Sequence, residues 1–414
     1  MLRVSQFLRQ PRKLLLRIEL LISSDKGDPV APRPGLSDLF LSFLRLGLTA
    51  FGGPAMVAYI GDLSVRRKGW LDQEALKGGT VLAQSIPGAT AMQVAAYVGL
   101  HTRGIAGAMA SYTGFGLPAF VLMLILSALY AGSRDVHWVA SLFAGLQVIV
   151  VAVVANATYT FGRGSIKRVT DGALAAASAA AFWLHVSPFY VIIGAAAAGL
   201  LFVSKVTAGP QAGAVPEDYR LQVAPLSGLV ALLVAGLVFL YLISPSLLSL
   251  ALLMLKIDLF AFGGGFASVP LMLQQVVHVQ GWMDHTTFMD GIALGQITPG
   301  PIVITATFVG YMVHGVAGAV VATLAIFTPS FLLLVGTAPF FHKLKTSPIF
   351  AGATKGILAS FVGLLLYVTI KFALAVPWDL VRVGLAVATL IALFKKIDLI
   401  YIVPIAAVLS VVLF

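Results

Sequence analysis

Apolar runs of about 18–28 residues recur from Leu39 to Phe414, separated by short polar stretches. Each is long enough to cross about 30 Å of hydrocarbon as a helix. In the first half they lie near 39–60, 79–100, 105–131, 137–161, 170–185 and 187–204. In the second half they lie near 250–272, 287–313, 316–340, 349–373, 379–394 and 397–414. A polar stretch from Lys205 to Gln222, with Gly209, Pro210, Gly213 and Pro216, separates the halves, and a further run from Val223 to Ile243 has no counterpart. The pattern divides the chain into an arm over 1–35, a repeat over 36–204, a linker with the odd segment over 205–245, and a second repeat over 246–414.

The halves are alike in sequence as well as in hydropathy. LFLSFLRLGLTAFGGPAMVAYI (Leu39 to Ile60) parallels LALLMLKIDLFAFGGGFASVPL (Leu250 to Leu271), with Phe51-Gly52-Gly53 on Phe262-Gly263-Gly264 at an offset of 211 (262 minus 51). Gly69-Trp70 then pairs with Gly281-Trp282 after one inserted residue, and Gln84-Ser85-Ile86-Pro87-Gly88 pairs with Gln296-Ile297-Thr298-Pro299-Gly300. Gly99, Gly104, Pro118 and Phe120 match Gly310, Gly315, Pro329 and Phe331 at 211 again, and Phe143-Ala144-Gly145 matches Phe350-Ala351-Gly352. A single unpaired crossing between equal halves starts the second half on the opposite side. We therefore expect an all-α polytopic membrane protein of two inverted-topology repeats, each of about six segments with broken or re-entrant helices.

Charge supports the inversion. Arg66, Arg67, Lys68 and Lys77 follow the first motif, whereas the equivalent loop from Gln274 to Thr286 has no Lys or Arg. Equivalent loops on opposite sides of a membrane differ in this way. Arg163, Lys167, Arg168, Lys205, Arg220, Lys343, Lys345, Lys395 and Lys396 all fall on the cytoplasmic side if the N-terminus is inside. Two readings of segment 39–60 stay open: a full crossing, which puts Arg66–Lys68 outside, or a hairpin entering and leaving on one side. The hairpin is favoured, with a second one bent at Pro87.

Composition agrees. Of 414 residues 59% are hydrophobic and 10% charged, far from the quarter charged of a soluble domain. The net charge of +11 sits in short loops and is a topology signal, not a nucleic-acid one. No cysteine is present, which excludes disulfides and thiolate chemistry. The arm carries Arg3, Arg9, Arg12, Lys13 and Arg17 among apolar residues. It reads as an amphipathic helix on the inner leaflet or as a mobile basic tail, and not as a signal peptide, because Arg17 and Glu19 interrupt its apolar run.

The candidate chemistry lies at paired breaks: Gly52, Gly53 and Pro54 with Gly263, Gly264 and Gly265; Pro87 and Gly88 with Pro299, Gly300 and Pro301. Broken helices at membrane depth are tolerated only where protein or a water-filled cavity covers them. A half-helix starting after a break aims its N–H groups and positive dipole end at that cavity, which makes an anion site. Pro54 and Pro301 suit the first turn of such helices; a packing kink is the alternative use of any one break. Arg45 and Lys256 occupy matching positions six residues before the Phe-Gly-Gly motifs, where they either face the cavity or snorkel to an interface. Asp258 either pairs with Lys256 or carries a coupling proton; its first-half counterpart is Gly47. Gln84, Ser85, Thr90, Gln93, Gln296, Thr298, Thr305 and Thr307 offer donors near the second break pair, and Ser and Thr can instead bond back to their own helix. Lys355, set against Val148, has no basic counterpart. The histidines (His101, His137, His185, His278, His285, His314 and His342) fall mostly at segment ends, form no metal-ligand spacing and read as interfacial.

The repeated Phe-Gly-Gly motif, the basic loop with Gly-Trp and the Q-x-x-P-G-P box resemble the chromate ion transporter family in its long, two-half form, from Leu36 to Phe414. GQITPGPIVITATFVGY, from Gly295 to Tyr311, carries the resemblance most specifically. The first half departs from it, with Ala89 where the second has Pro301. The resemblance implies export of chromate, with sulfate as a similar anion, and hence chromate resistance. The residues alone give an anion site in an inverted-repeat transporter of a bacterial inner membrane, N-terminus cytoplasmic. The expected partners are a small inorganic oxyanion and lipid, with a homodimer as the oligomer to consider and neither nucleic acid, metal nor cofactor. An anion channel would share these breaks. An intramembrane enzyme would need a nucleophile–base pair or metal cluster, and neither HExxH nor a Walker loop is visible.

Overall fold

The computed structural model describes residues 34–51, 53–134, 136–201 and 223–414. The basic arm before Pro34, the linker over 205–222 and Gly52 lie outside the described residues. Within them every regular element is helical. The first half runs α1 (Leu36–Thr49), α2 (Gly53–Gly61) continued by a π-helical turn (Asp62–Arg67), α3 (Gln73–Ser85), α4 (Thr90–Ser133), α5 (His137–Ser165), α6 (Val169–Trp183) and α7 (Pro188–Leu201). The unpaired α8 (Val223–Ile243) follows. The second half runs α9 (Pro245–Leu259), α10 (Gly265–Met272) with its π-helical turn (Leu273–Val279), α11 (His285–Ile297), a 3₁₀ turn (Ile302–Ile304), α12 (Thr305–Thr337), α13 (Phe341–Thr346), α14 (Pro348–Ala375), α15 (Leu380–Phe394) and α16 (Leu399–Leu413).

The hairpin reading holds for the first motif. Lys68 Nζ lies 2.9 Å from Asp38 Oδ1, and Trp70 stacks on Phe43 with centroids 6.4 Å apart. The end of the π-helical turn has therefore returned to the level where α1 began, so α1 and α2 enter and leave on one face. The second hairpin is α3 with the first limb of α4, which meet where Gly79 abuts the Tyr97 ring. Asp72 caps α3 by accepting from the Ala75 N–H at 2.6 Å, and its repeat mate Asp284 caps α11 through the Thr287 N–H at 2.7 Å. Helix α4 then reverses at Arg103 and Gly104, where Gly104 has φ 64°. Its limbs, 90–102 and 105–133, fold back on each other with Gly99 against the Gly107 carbonyl. His314 and Gly315 repeat the reversal in α12, with Gly310 against Gly318. The helix from Thr90 to Ser133 is thus a half-span that returns, then a full crossing, in keeping with the division of the apolar pattern between 79–100 and 105–131.

The inversion shows at the centre of symmetry. Thr158 Oγ1 of α5 lies 2.9 Å from Thr369 Oγ1 of α14, its own repeat mate. A few residues on, Gly162 approaches Val362. As one helix advances the other recedes, so the two mates run antiparallel about a local two-fold axis perpendicular to them. Helices so related enter the membrane from opposite faces. Flanking contacts obey the same axis: Gly145 packs on Ser410 as Gly356 packs on Gly199. That pairing corrects one sequence match. Gly145 corresponds to Gly356, not Gly352, so the Phe-Ala-Gly match is slipped by four residues, about one helical turn, and Lys355 stands opposite Ala144 rather than Val148. The Gly-rich faces of both helices allow the false register.

Helix α8 has no residue buried within the chain, and its apolar 21 residues fit a lipid-facing crossing. Its first turn lies beside Arg103 and Gly336, on the face where α1 begins, so α9 starts from the far face. The basic residues divide accordingly: Arg66, Arg67, Lys68, Arg103, Arg163, Lys167, Arg168, Lys395 and Lys396 lie toward the near face, and Arg134, Lys371 and Arg382 toward the far one. In this cysteine-free chain, Arg67→Cys and Gln280→Cys are each expected to react with a membrane-impermeant maleimide from opposite faces. Labelling of both from one face would contradict the antiparallel pairing.

Candidate functional site

The four breaks meet. Gly88 N–H donates to the Ala261 carbonyl at 2.9 Å, and Gly300 N–H donates to the Ala50 carbonyl at 3.0 Å. Each bond joins the Pro-Gly break of one half to the residue just before the Phe-Gly-Gly of the other, so the pair is one contact repeated by the two-fold axis. Gly264 faces Thr90 at the start of α4, and Gly265 faces Ile302 and Val303. The amides of Thr90, Ala91 and Met92, and of Ile302 and Val303, precede the first intrahelical bonds (Gln93 to Ala89 and Ile304 to Pro301), and both positive helix ends point into this junction. Pro54 sits in the first turn of α2, and Pro301 immediately precedes the 3₁₀ turn, as helix starts.

Only glycine fits the crossing points. Gly88 and Gly300 have φ of 117° and 114°. A Cβ on Gly88 would lie 1.9 Å from Ser330 Oγ, and one on Gly300 would lie 2.8 Å from the Ala119 methyl.

Ser330 and Ala119 are repeat mates, and there the symmetry ends. Ser330 donates from its backbone N–H (2.7 Å) and its hydroxyl (2.6 Å) to Asp258 Oδ2. The same hydroxyl oxygen accepts the Ala89 N–H at 3.2 Å. Gln93 Nε2 ties the Pro87 carbonyl (2.7 Å) to the Ser330 carbonyl (3.4 Å). Asp258 is fully buried and its Oδ1 has no hydrogen-bond partner. Ala89 in place of a second proline is explained here, since proline has no N–H to give Ser330. The first half has Gly47 and Ala119 at these positions and cannot form the cluster. Sequence reading missed Ser330; its signal was the Ser/Ala difference directly after the matched Pro329 and Pro118.

Several expected donors turn elsewhere. Ser85 bonds back to the Val81 carbonyl, Thr298 to Gly295, and Thr305 to Ile302; Thr307 pairs with Thr323. Gln84 is exposed, while Gln296 is half-buried with its Nε2 unpartnered. Pro87 and Pro299 are buried in the junction with their glycines, and Gly263 abuts Phe161 and Leu358. Arg45 projects from the face of α1 opposite buried Phe43, Gly47 and Ala50. Lys256 is likewise exposed, with Nζ 3.7 Å from the Phe189 ring centroid. The expected Lys256–Asp258 pair is therefore corrected: two residues apart on a helix they leave on different sides, and Asp258 turns inward to Ser330. Among the described residues no His, Asp or Glu cluster could hold a metal ion.

Residues 37–200 and 248–411 each match the family described as Chromate transporter. An uncharacterised transporter of Methanocaldococcus jannaschii is 43% identical over 390 residues, covering 94% of this chain and 97% of that protein. A chromate transport protein of Cupriavidus metallidurans is 31% identical over 385 residues, covering 92% of this chain and 94% of its own length. No solved structure matches the chain.

Proposed function

The chain belongs to the chromate transporter family, and from that premise we propose that it is a secondary transporter exporting a tetrahedral oxyanion dianion, chromate foremost, across a bacterial inner membrane with its N-terminus cytoplasmic. The observation that carries the reading is the convergence of four helix breaks on one two-fold axis, with the positive ends of α4 and α12 turned into it. Those amides and the glycines and prolines around them are the proposed contacts of the anion. Arg45 and Lys256, on outward faces, would act by raising the local potential. The near face, with most of the basic residues, is the proposed cytoplasmic side.

The driving force follows from charge. One elementary charge crossing the membrane potential is worth about 2.3 kcal/mol per 100 mV, so a dianion leaving a cell negative inside gains about 4.6 kcal/mol. At about 1.4 kcal/mol per tenfold, that sustains a gradient above about a thousandfold without a coupling ion. In proteoliposomes, a potential set with potassium and valinomycin is expected to drive labelled chromate or sulfate flux with no pH gradient. The flux should saturate and show trans-stimulation, which an anion channel would not. Transport driven by a pH gradient alone, and indifferent to potential, would replace this account with proton coupling, and Asp258 would be its first candidate carrier.

A further inference from the structure

Away from the breaks, four groups that could carry positive charge meet on the far face. His278, at the end of the π-helical turn after α10, and His285, at the start of α11, have ring centroids 4.8 Å apart. Nε2 of His278 is buried without a hydrogen-bond partner. Lys371, near the end of α14, holds its Nζ 5.2 Å from the Trp183 ring centroid and 5.6 Å from that of Tyr367. His185 stands exposed in the turn between α6 and α7 with φ 61°. The ionisable groups facing His278 are His285, Lys371 and His185; those facing His285 include Lys371 and Asp284. Asp284 Oδ1 accepts the Thr287 N–H as the helix cap. His278 thus lies within electrostatic reach of His285, Lys371 and His185, and His285 within reach of Lys371 and of the Asp284 carboxylate.

We propose that His185, His278, His285 and Lys371 form a proton-dependent site for a doubly charged oxyanion, separate from the helix-break junction. In the export cycle it serves as the exit station, and that role rests on the reading above. Burial, and then positive neighbours, hold both His278 and His285 below the ordinary imidazole value. Near neutrality these rings are therefore mostly uncharged and present little attraction beyond Lys371. An arriving dianion reverses the balance: it offsets the mutual repulsion of the imidazolium groups and favours their protonation, so anion binding and proton uptake are linked.

The opposite face shows what the histidines change. The repeat-equivalent positions there are Arg66 for His278, Gln73 for His285, Thr160 for Lys371 and Lys396 for His185. Arginine and lysine keep their charge through the physiological range, and imidazole does not. The near-face positions would thus attract an anion at any working pH, while the far-face site weakens as the medium approaches neutrality. Release outward is thereby favoured in a neutral medium and hindered in an acid one.

The test uses the full-length protein in detergent with sulfate as the probe. Binding is followed by tryptophan fluorescence, Trp183 lying beside Lys371, and by calorimetry in two buffers of different ionisation heat to count protons. Sulfate is expected to bind with net proton uptake, and at least about tenfold more tightly at pH 6 than at pH 8. His278→Gln and His285→Gln should bring that ratio toward one. Lys371→Gln should weaken binding at both pH values, and Gly164→Ala, with nothing within 4 Å of its Cβ and outside both sites, should leave the ratio intact. Binding without proton uptake in the unaltered protein, no binding at pH 6, or a ratio unchanged in the double histidine variant would each overturn the site. Proton-linked binding in a protein that shows no potential-driven flux would instead refute the export reading and leave the site standing.

Discussion

Replacing Gly88 with alanine is expected to reduce oxyanion flux at least about tenfold while leaving the amount of inserted protein near normal. Two costs coincide there. The φ of 117° is a glycine conformation, and a side chain held in such a region costs about 1–3 kcal/mol. The new methyl would also lie 1.9 Å from Ser330 Oγ, and Ser330 cannot withdraw without loosening its bonds to Asp258 and Ala89. About 1.4 kcal/mol is already a factor of ten. Gly300→Ala meets the same backbone cost but only the Ala119 methyl at 2.8 Å, and should lose less. Gly164→Ala, with nothing within 4 Å of its Cβ, is the control and should transport normally. Equal, negligible effects at Gly88 and Gly300 would reduce the breaks to packing features.

Asp258→Asn and Ser330→Ala are each expected to cost about tenfold or more in flux, and the double variant hardly more than either alone. Removing one partner from a buried hydrogen-bonded pair leaves the other unsatisfied, at about 1–3 kcal/mol. The hydroxyl–carboxylate bond can be lost only once, so the second substitution adds little to the first. The measurement is a double-mutant cycle on initial flux rate; additive losses would mean that the two residues act separately. The cluster cannot be copied into the first half as a check, because a Cβ on Gly47 would lie 2.4 Å from the Phe115 carbonyl oxygen. That close approach of α1 to α4 also accounts for the glycine there.

Much of this architecture was legible in the sequence because a repeat doubles every weak signal. One Phe-Gly-Gly is a common tripeptide; two, each followed by Gly-Trp and a Pro-Gly, fix the halves and the breaks. The unpaired run from Val223 to Ile243 gave the inversion. Hairpin against crossing was harder, since hydropathy records that a segment is apolar and not whether it returns. The ion pair Lys68–Asp38, spanning 30 residues, settles it for the first motif. Long-range partners were invisible for the same reason: Asp258 and Ser330 lie 72 residues apart, and nothing local in either segment names the other. Arg45 and Lys256 were readable as cations at depth, but the direction in which they leave their helices depends on which face α4 and α12 cover.

The twin bonds from Gly88 to Ala261 and from Gly300 to Ala50 also have a thermodynamic meaning. They are seams of nearly equal length, 2.9 and 3.0 Å, exchanged by the two-fold axis. In a perfectly symmetric carrier, parting one seam and parting the other would yield two states of equal energy, one open to each side, and the resting protein would divide evenly between them. Ala89 and Gln93 of the first half add hydrogen bonds to Ser330 of the second at the Gly88 seam only, and Asp258 holds Ser330 in place to accept them. Two such bonds, at about 0.5–1.5 kcal/mol net each, make that seam the harder to part by a factor of roughly five to over a hundred. The departure from symmetry thus gives the empty carrier a preferred orientation, set by a few side chains in one half, while the backbone it acts on remains common to both.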